Sequence, residues 1–203
     1  MGTYPKEVFR KVLHICGVAG VIAWFYALEN WRQSVAITLL AIVFLYPVLY
    51  LCSFIPGITE FFNARKKGEY GQSFIALFVT YAIVASVCWG FFGQRILGVA
   101  CFLAWGPGDA AAALIGKKFG THRIGRKKVK SLEGSLSMFI FSFISVYITL
   151  YISGLYSFPV LILASLITAI VATITELLVL SGYDTLFCPL AAMVVLSIFE
   201  FIL

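Results

Sequence analysis

One carboxylate stands out in an otherwise apolar run. Asp109 follows Gly106-Pro107-Gly108 in the stretch from Ile96 to Ile115, which is long and apolar enough to cross a bilayer. An ionised group at the bilayer centre costs roughly 2.5 to 3.5 kcal/mol on insertion scales, so such residues are usually functional. Proline between glycines predicts an interrupted helix, with a new helix start at Ala110 whose amides could receive a phosphate. The plainer interpretation is a kinked helix in which Asp109 only caps the second half.

Further polar side chains are expected on the same side of the membrane. His14 follows Arg10 by four residues near the start of the first apolar run, and Asp184 lies in the connection before the last one. Three more acids belong to this set: Glu69, Glu133 and Glu176. Each has an ordinary interpretation as a cap, turn or interfacial residue. Together they indicate a site, because seven spans could have scattered them across both faces.

A basic, glycine-containing loop, residues 117–130, separates Asp109 from Glu133. It holds seven Lys and Arg and no acid, two glycines lie within it, Gly120 and Gly125, and Gly116 directly precedes it. Such a loop ordinarily binds anionic lipid headgroups. Carboxylates beside a basic cradle also suit a magnesium nucleotide, because Mg²⁺ takes one or two carboxylates plus phosphate oxygens. The nucleotide loop with the pattern G-x-x-x-x-G-K-[ST] is absent from the sequence.

These motifs resemble the CTP-dependent lipid and polyprenol kinase family, which includes dolichol kinases, phytol kinases and CTP-using diacylglycerol kinases. The resemblance rests on Arg10-Lys11-x-x-His14, Gly108-Asp109-x-x-Ala112-x-x-x-Gly116-x-x-x-Gly120 and Lys130-Ser131-x-Glu133-Gly134-Ser135. It continues with Glu176 and Asp184-Thr185-Leu186-x-x-Pro189-Leu190. The chain departs from the family at Ala110 and Thr185, where many members have Gly and Asn.

The resemblance implies an enzyme that moves the terminal phosphoryl group of CTP, or of another nucleoside triphosphate, onto a membrane lipid alcohol. Polyprenols, phytol or geranylgeraniol, dolichol and diacylglycerol are all implied acceptors. By matching position, the candidates for Mg²⁺ binding or hydroxyl activation are Asp109, Glu133, Glu176 and Asp184, with His14 as a further catalytic candidate. The implied nucleotide contacts are Arg10, Lys11, Gly116, Lys117, Lys118, Gly120, Lys127, Lys128, Lys130 and Ser131. Whether Asp109, Glu133 or His14 activates the hydroxyl stays open.

The elements that must position these residues are membrane helices. The chain has 203 residues, of which 62% are hydrophobic and 12% charged, and this composition excludes a soluble globular protein. The apolar runs are Val12 to Leu28, Gln33 to Ile55, Phe74 to Phe92, Ile96 to Ile115, Ser135 to Ile152, Pro159 to Leu180 and Thr185 to Leu203. We therefore predict an all-α, polytopic, single integral-membrane domain over residues 1–203, with about seven transmembrane helices.

The distribution of Lys and Arg predicts the orientation. Seven spans place thirteen of these residues on one side and only Arg32 and Arg95 on the other. The thirteen are Lys6, Arg10, Lys11, Arg65, Lys66, Lys67, Lys117, Lys118, Arg123, Arg126, Lys127, Lys128 and Lys130. The N-terminus and the candidate site are thus predicted to face the cytoplasm. No nucleic-acid partner is expected, and the sequence predicts no oligomeric state.

Two other functions compete with the kinase. A phosphatidate cytidylyltransferase would also be polytopic and use CTP and Mg²⁺, but the His-Gly-Gly and Asp-Arg signature of that family is absent. A small transporter would use an intramembrane Asp at a broken helix as a proton or cation site. Against the transporter, the acids collect on one face, and no second broken span mirrors the first.

Overall fold

The computed structural model describes residues 3–52, 54, 69–124, 130–179 and 182–203. In this part of the chain, seven helices are long and apolar enough to cross a membrane. The helices are α1 (Thr3–Ala27), α2 (Trp31–Cys52), α3 (Glu69–Val84, continued by the π-helical turns Ala85–Phe91), α4 (Arg95–Phe119), α5 (Leu132–Ser153), α6 (Phe158–Leu178) and α7 (Asp184–Ile202). The predicted helical fold with seven spans is confirmed.

Helix α4 forms the centre of the bundle. In the stretch of α4 that could span the membrane, 67% of the residues are buried. In the corresponding stretches of the other six helices, at most 39% are buried. It packs against α1, α5, α6 and α7. Its buried face is rich in small residues, among them Gly98, Ala100, Ala104, Gly106 and Gly108, which let neighbouring backbones approach closely. Side chains on the surrounding helices are therefore positioned relative to α4.

The predicted break in α4 is wrong. The helix runs without interruption from Arg95 to Phe119, with Pro107 inside it. Proline costs one backbone hydrogen bond and crowds the preceding turn, but packing on both sides of the helix keeps it continuous. No second helix begins at Ala110, so its amide is not available to receive a phosphate.

Two glycines of α4 explain this packing. A methyl group at Gly106 would lie 2.7 Å from a methyl of Val18 in α1. A methyl group at Gly108 would lie 2.5 Å from Oγ of Ser142 in α5. The same Ser142 hydroxyl donates a hydrogen bond to the backbone carbonyl of Ala104, one turn before the proline. The glycines thus serve close contact between helices, not a helix break.

Helix α1 begins well before the predicted start at Val12, at Thr3. Its side chains facing α4 recur every three or four residues, and the stripe is polar in the first half and apolar in the second. Its buried members are Glu7, Lys11, Val18, Val21 and Phe25. The first half of α1 therefore belongs to the bundle, and it carries charged side chains against α4.

The described residues of the basic loop include a helix end and two short strands. Its first three residues, 117–119, belong to the last turn of α4, where Lys117 and Lys118 lie favourably at the negative end of the helix dipole. Beyond them, strands β1 (Arg123–Ile124) and β2 (Lys130–Ser131) pair antiparallel, with Arg123 opposite Ser131. Residues 125–129, which include the predicted nucleotide contacts Lys127 and Lys128, lie outside the described residues.

Candidate active site

Asp109 is the buried acid around which the site is built. It lies on the face of α4 that meets α1, and its carboxylate forms an ion pair with the Lys11 ammonium group. The Lys11 and Asp109 side chains are only 5% and 8% exposed. A buried carboxylate of this kind is retained only where a partner charge and hydrogen bonds compensate its lost hydration. The predicted candidates Asp109 and Lys11 are thus in direct contact.

His14 is the second predicted candidate at this position. Its Nε2 atom lies 3.4 Å from Oδ2 of Asp109 and has no hydrogen-bond partner in the described part of the chain. The imidazole ring packs edge-on against the Trp105 ring, with the ring centroids 4.4 Å apart. Trp105 is itself 2% exposed, so it holds the imidazole in one place. An orphaned buried nitrogen beside a carboxylate is suited to accept a proton from a substrate hydroxyl.

Asp184 is the first residue of α7, and its carboxyl group lies beside that of Asp109. The Gly182 backbone N–H donates to its Oδ1 atom at 3.1 Å, and Gly182 adopts φ of 102°, a left-handed conformation that favours glycine. This turn fixes the Asp184 carboxylate at the end of the bundle where Asp109 lies. Two predicted metal ligands are therefore brought together.

Glu176 and Lys130 form a separate ion pair. Glu176 lies near the end of α6 and is 8% exposed. Its Oε1 atom is 2.7 Å from Nζ of Lys130, the first residue of β2. Lys130 was predicted to contact the nucleotide and Glu176 to bind metal, so the structure pairs a predicted cation with a predicted metal ligand.

Glu133 lies apart from the other acids, in the first turn of α5. Its Oε1 atom accepts hydrogen bonds from the Thr121 hydroxyl at 2.7 Å and from the Thr121 and His122 amides at 3.1 and 3.2 Å. Nδ1 of His122 is 2.8 Å from the same oxygen. Its Oε2 atom is buried and has no hydrogen-bond partner among the described residues. Glu133 thus connects the end of α4 to the start of α5.

The sequence interpretation missed a structural role of three residues, Ser131, Gly116 and Gly120. Ser131 caps α5, accepting a hydrogen bond from the Gly134 amide at 3.1 Å. A methyl group at Gly116 would lie 2.9 Å from Oγ of Ser131, and one at Gly120 would lie 2.5 Å from it. These glycines let α4 pack closely against the start of α5. Lys118, by contrast, is exposed, with its ammonium 5.1 Å from the Phe119 ring centroid.

Glu7 is the buried charged residue that the sequence interpretation missed. Its side chain is 8% exposed, and it forms ion pairs with Arg10 one turn later and with Lys117 of α4, the latter at 3.5 Å. The signal that could have revealed it is helical spacing, since Glu7, Lys11, His14 and Val18 are four and three residues apart. Hydropathy did not reveal Glu7, because it placed the start of the first span at Val12.

The predicted metal ligands do not form one cluster in the described residues. In the described residues, no group of three or more His, Cys, Asp and Glu side chains lies close enough to hold a metal ion. The predicted set of four carboxylates is therefore not gathered into one ligand cluster. Mg²⁺ needs only one or two protein carboxylates when phosphate oxygens supply the rest. Asp109 and Asp184 meet that requirement, whereas Glu133 and Glu176 belong to other clusters.

Comparison with known proteins decides the family. No protein-family model matches the chain. No solved structure matches it. The phytol kinase of Synechocystis sp. is 30% identical to it over 195 residues, an alignment that covers 93% of this chain and 77% of the relative.

The chain belongs to the CTP-dependent lipid and polyprenol kinase family. The resemblance drawn from the motifs is thus confirmed. Together with the seven apolar helices, membership of this kinase family makes the chain an integral multi-pass membrane protein. The transporter alternative depended on a broken fourth helix, and α4 is continuous.

Proposed function

We propose that this chain is a membrane lipid kinase that transfers the terminal phosphoryl group of CTP to the hydroxyl group of a prenol. The observation that carries the proposal is the buried Asp109, ion-paired with Lys11 and 3.4 Å from His14. The similarity to a phytol kinase over nearly the whole chain supports a prenol as the acceptor. CTP is proposed as the donor because the family resemblance implies it.

The residues around Asp109 suit phosphoryl transfer, which depends mainly on positioning and on neutralising charge. Asp109 and Asp184 are the proposed Mg²⁺ ligands, and the ion would neutralise charge on the triphosphate. Glu133, whose Oε2 atom has no hydrogen-bond partner among the described residues, and Glu176 are proposed to act from the edge of the site. The cations proposed to contact phosphate oxygens are Arg10, Lys11, Lys117, Lys118, Lys127, Lys128 and Lys130.

The proposed step exchanges one phosphorus–oxygen bond for another. The lipid hydroxyl oxygen forms a bond to the γ-phosphorus, and the bond between that phosphorus and the β,γ-bridging oxygen breaks. The hydroxyl proton passes to Nε2 of His14, which has no hydrogen-bond partner in the described chain and lies beside Asp109. The electron pair of the broken bond leaves with CDP, and the lipid becomes a monophosphate.

The proposed site lies on the cytoplasmic face, where a soluble nucleotide and a membrane-embedded alcohol can meet. The described cations near the site are at one end of the bundle, as the contacts from Lys11, Lys117 and Lys130 to buried acids show. Arg95 lies at the other end, donating to the Glu29 carbonyl at 3.0 Å. By the positive-inside rule the cation-rich end is cytoplasmic. Basic residues there are also proposed to bind anionic lipid headgroups.

The test is a phosphoryl-transfer assay with purified protein in lipid nanodiscs, using γ-labelled CTP or ATP with Mg²⁺. Phytol, geranylgeraniol, a long polyprenol and diacylglycerol are supplied in parallel as acceptors. Label transferred to a prenol, with release of CDP, is the expected result. Pyrophosphate release with a CDP-linked lipid would identify a cytidylyltransferase and overturn the proposal. Transfer from ATP but not CTP would overturn the proposed donor alone.

A further inference from the structure

Lys130 is a proposed phosphate contact whose backbone is held on both sides. In the two-stranded sheet it lies opposite Ile124. The next residue, Ser131, caps α5 by accepting a hydrogen bond from the Gly134 amide at 3.1 Å. These contacts fix where the Lys130 side chain begins, but a lysine side chain is long and flexible. A further contact is needed to hold its ammonium group in one position.

Glu176 provides that contact from α6. Its Oε1 atom lies 2.7 Å from Nζ of Lys130, and the Lys130 and Glu176 side chains are 21% and 10% exposed. Glu176 lies in the last turn of α6, where the negative end of the helix dipole disfavours a carboxylate. That turn contains no basic residue of its own, so the compensating cation comes from β2. Burial adds to this requirement, because a buried carboxylate has lost its hydration.

The ion pair lies beside the acid-rich part of the site. Cys188 is fully buried in α7, one turn after Asp184. Its thiol lies within electrostatic range of the Asp109 and Asp184 carboxylates, and also of both members of the ion pair. The Lys130 ammonium group is therefore held near the two proposed Mg²⁺ ligands. An ammonium group has three donors, so its pairing with Glu176 still lets it donate to a phosphate oxygen.

We propose that Glu176 is a positioning residue for the nucleotide, holding the Lys130 ammonium group where it meets the phosphates of the donor. This role rests on the proposed function, since it takes the nucleoside triphosphate as the anion that Lys130 binds. Glu176 then contacts neither the metal ion nor the substrate. Without its carboxylate, the ammonium group loses its fixed position, and the triphosphate binds less tightly.

The test is a double-mutant cycle in the full-length protein with E176Q, K130M and K130M/E176Q. Glutamine keeps the shape of Glu176 but removes its charge, and methionine removes the ammonium group of Lys130 but keeps an apolar stem. We expect E176Q to raise the KM for CTP about tenfold, the equivalent of losing one charge-assisted hydrogen bond. K130M should raise it at least as much. Adding E176Q to K130M should raise it no further, because Glu176 acts only through Lys130.

The KM for the lipid should stay unchanged in all three variants. E200Q is the matched control, because Glu200 is also a partly buried acid with a polar side chain, Tyr156, as its partner. It lies near the opposite end of α7 from the site, so E200Q should show the wild-type KM for CTP.

Further readouts separate positioning from other roles of Glu176. Equilibrium binding of a non-hydrolysable CTP analogue should weaken in E176Q by a factor similar to the rise in KM. A raised Mg²⁺ requirement at saturating CTP would identify Glu176 as a metal ligand and overturn its positioning role. Wild-type analogue affinity with a lower Tm would overturn it too, because the ion pair would then only join β2 to α6. Tighter analogue binding in E176Q would mean that Glu176 competes with phosphate for Lys130, which also contradicts the proposal.

The role of Glu176 and the proposed function can fail separately. If the wild type binds the analogue but transfers no phosphoryl group, the proposed function fails, and the cycle measured by analogue binding still tests Glu176. If E176Q weakens analogue binding equally with and without Lys130, the role of Glu176 is refuted while the proposed function stands. If the wild type does not bind the analogue, both are refuted.

Discussion

The replacement of Asp109 by Asn tests the centre of the site, and the structure predicts two separate effects. Asparagine keeps the shape of the side chain but removes the charge opposite Lys11, whose side chain is 5% exposed. Removing one partner of a buried ion pair leaves an uncompensated charge and typically costs about 3–5 kcal/mol. We therefore expect D109N to insert and fold, with a lower free energy of unfolding.

The second effect of D109N is on catalysis. Loss of a group that activates the hydroxyl or positions the metal commonly lowers rates by about 10² to 10⁴. The assay is transfer of label from CTP to the acceptor, measured beside thermal unfolding of the same sample. E200Q is the control, because Glu200 accepts a hydrogen bond from Tyr156 at 3.0 Å near the opposite end of α7. A glutamine oxygen can also accept this bond, so rate and stability should stay near wild type.

The double variant K11M/D109N separates the two effects of the Asp109 change. Replacing a buried ion pair by neutral side chains of similar volume is often neutral or stabilising. The double variant should therefore recover most of the stability lost in D109N, while the rate of phosphoryl transfer stays as low as in D109N. Full activity in D109N would remove Asp109 from the mechanism. A double variant as unstable as D109N would refute the argument that the unpaired Lys11 charge causes the loss.

Two single contacts and the distribution of Lys and Arg give three further predictions. K130A should raise the KM for CTP and leave the KM for the lipid unchanged in steady-state kinetics. A raised KM for the lipid with an unchanged KM for CTP would count against Lys130 as a phosphate contact. G116A should lower the free energy of unfolding by about 1–3 kcal/mol, because the added methyl group lies 2.9 Å from Oγ of Ser131. G20A is the control and should not lower it, because nothing lies within 4 Å of the added methyl group. A peptide tag fused to the N-terminus should resist protease in intact cells and be cleaved in inverted vesicles, and cleavage in intact cells would contradict the orientation.

The number of helices was predictable because hydropathy is a property of the sequence alone. Each span needs about 20 apolar residues, and the runs are bounded by charges and turn residues. The continuity of α4 at Pro107 was not predictable in the same way. Whether a proline interrupts a helix depends on what packs around it, and Val18 and Ser142 approach from helices far away in the sequence. Such contacts carry no local signal.

The start of helix α1 is better predicted by helical spacing than by hydropathy. Charged residues lower hydropathy, so the predicted span began at Val12 and excluded Glu7 and Lys11. Their spacing relative to Val18 and Phe25 is nevertheless that of a continuous helical stripe. Periodicity is insensitive to whether a buried residue is charged or apolar. A polar site at the end of a membrane helix is therefore better located by spacing than by hydropathy.

The distribution of charge within the site follows from the rotation of each helix, which the topology does not determine. Positive-inside counting places acids and bases at one end of the bundle but does not say which acid meets which base. In the structure Asp109 pairs with Lys11, and Asp184 lies beside Asp109, so this position is rich in acid. At Glu7, two basic side chains, Arg10 and Lys117, contact one buried acid.

This separation suits the two ends of a metal–nucleotide complex, in which the cation needs carboxylates and the phosphates need ammonium and guanidinium groups. The acid-rich position lies at Asp109, where His14 also lies 3.4 Å from the carboxylate. The base-rich position is one helical turn away along α1. Substitutions at the proposed phosphate contacts Arg10 and Lys117 should therefore change nucleotide affinity, and substitutions at Asp109 should change the rate of transfer.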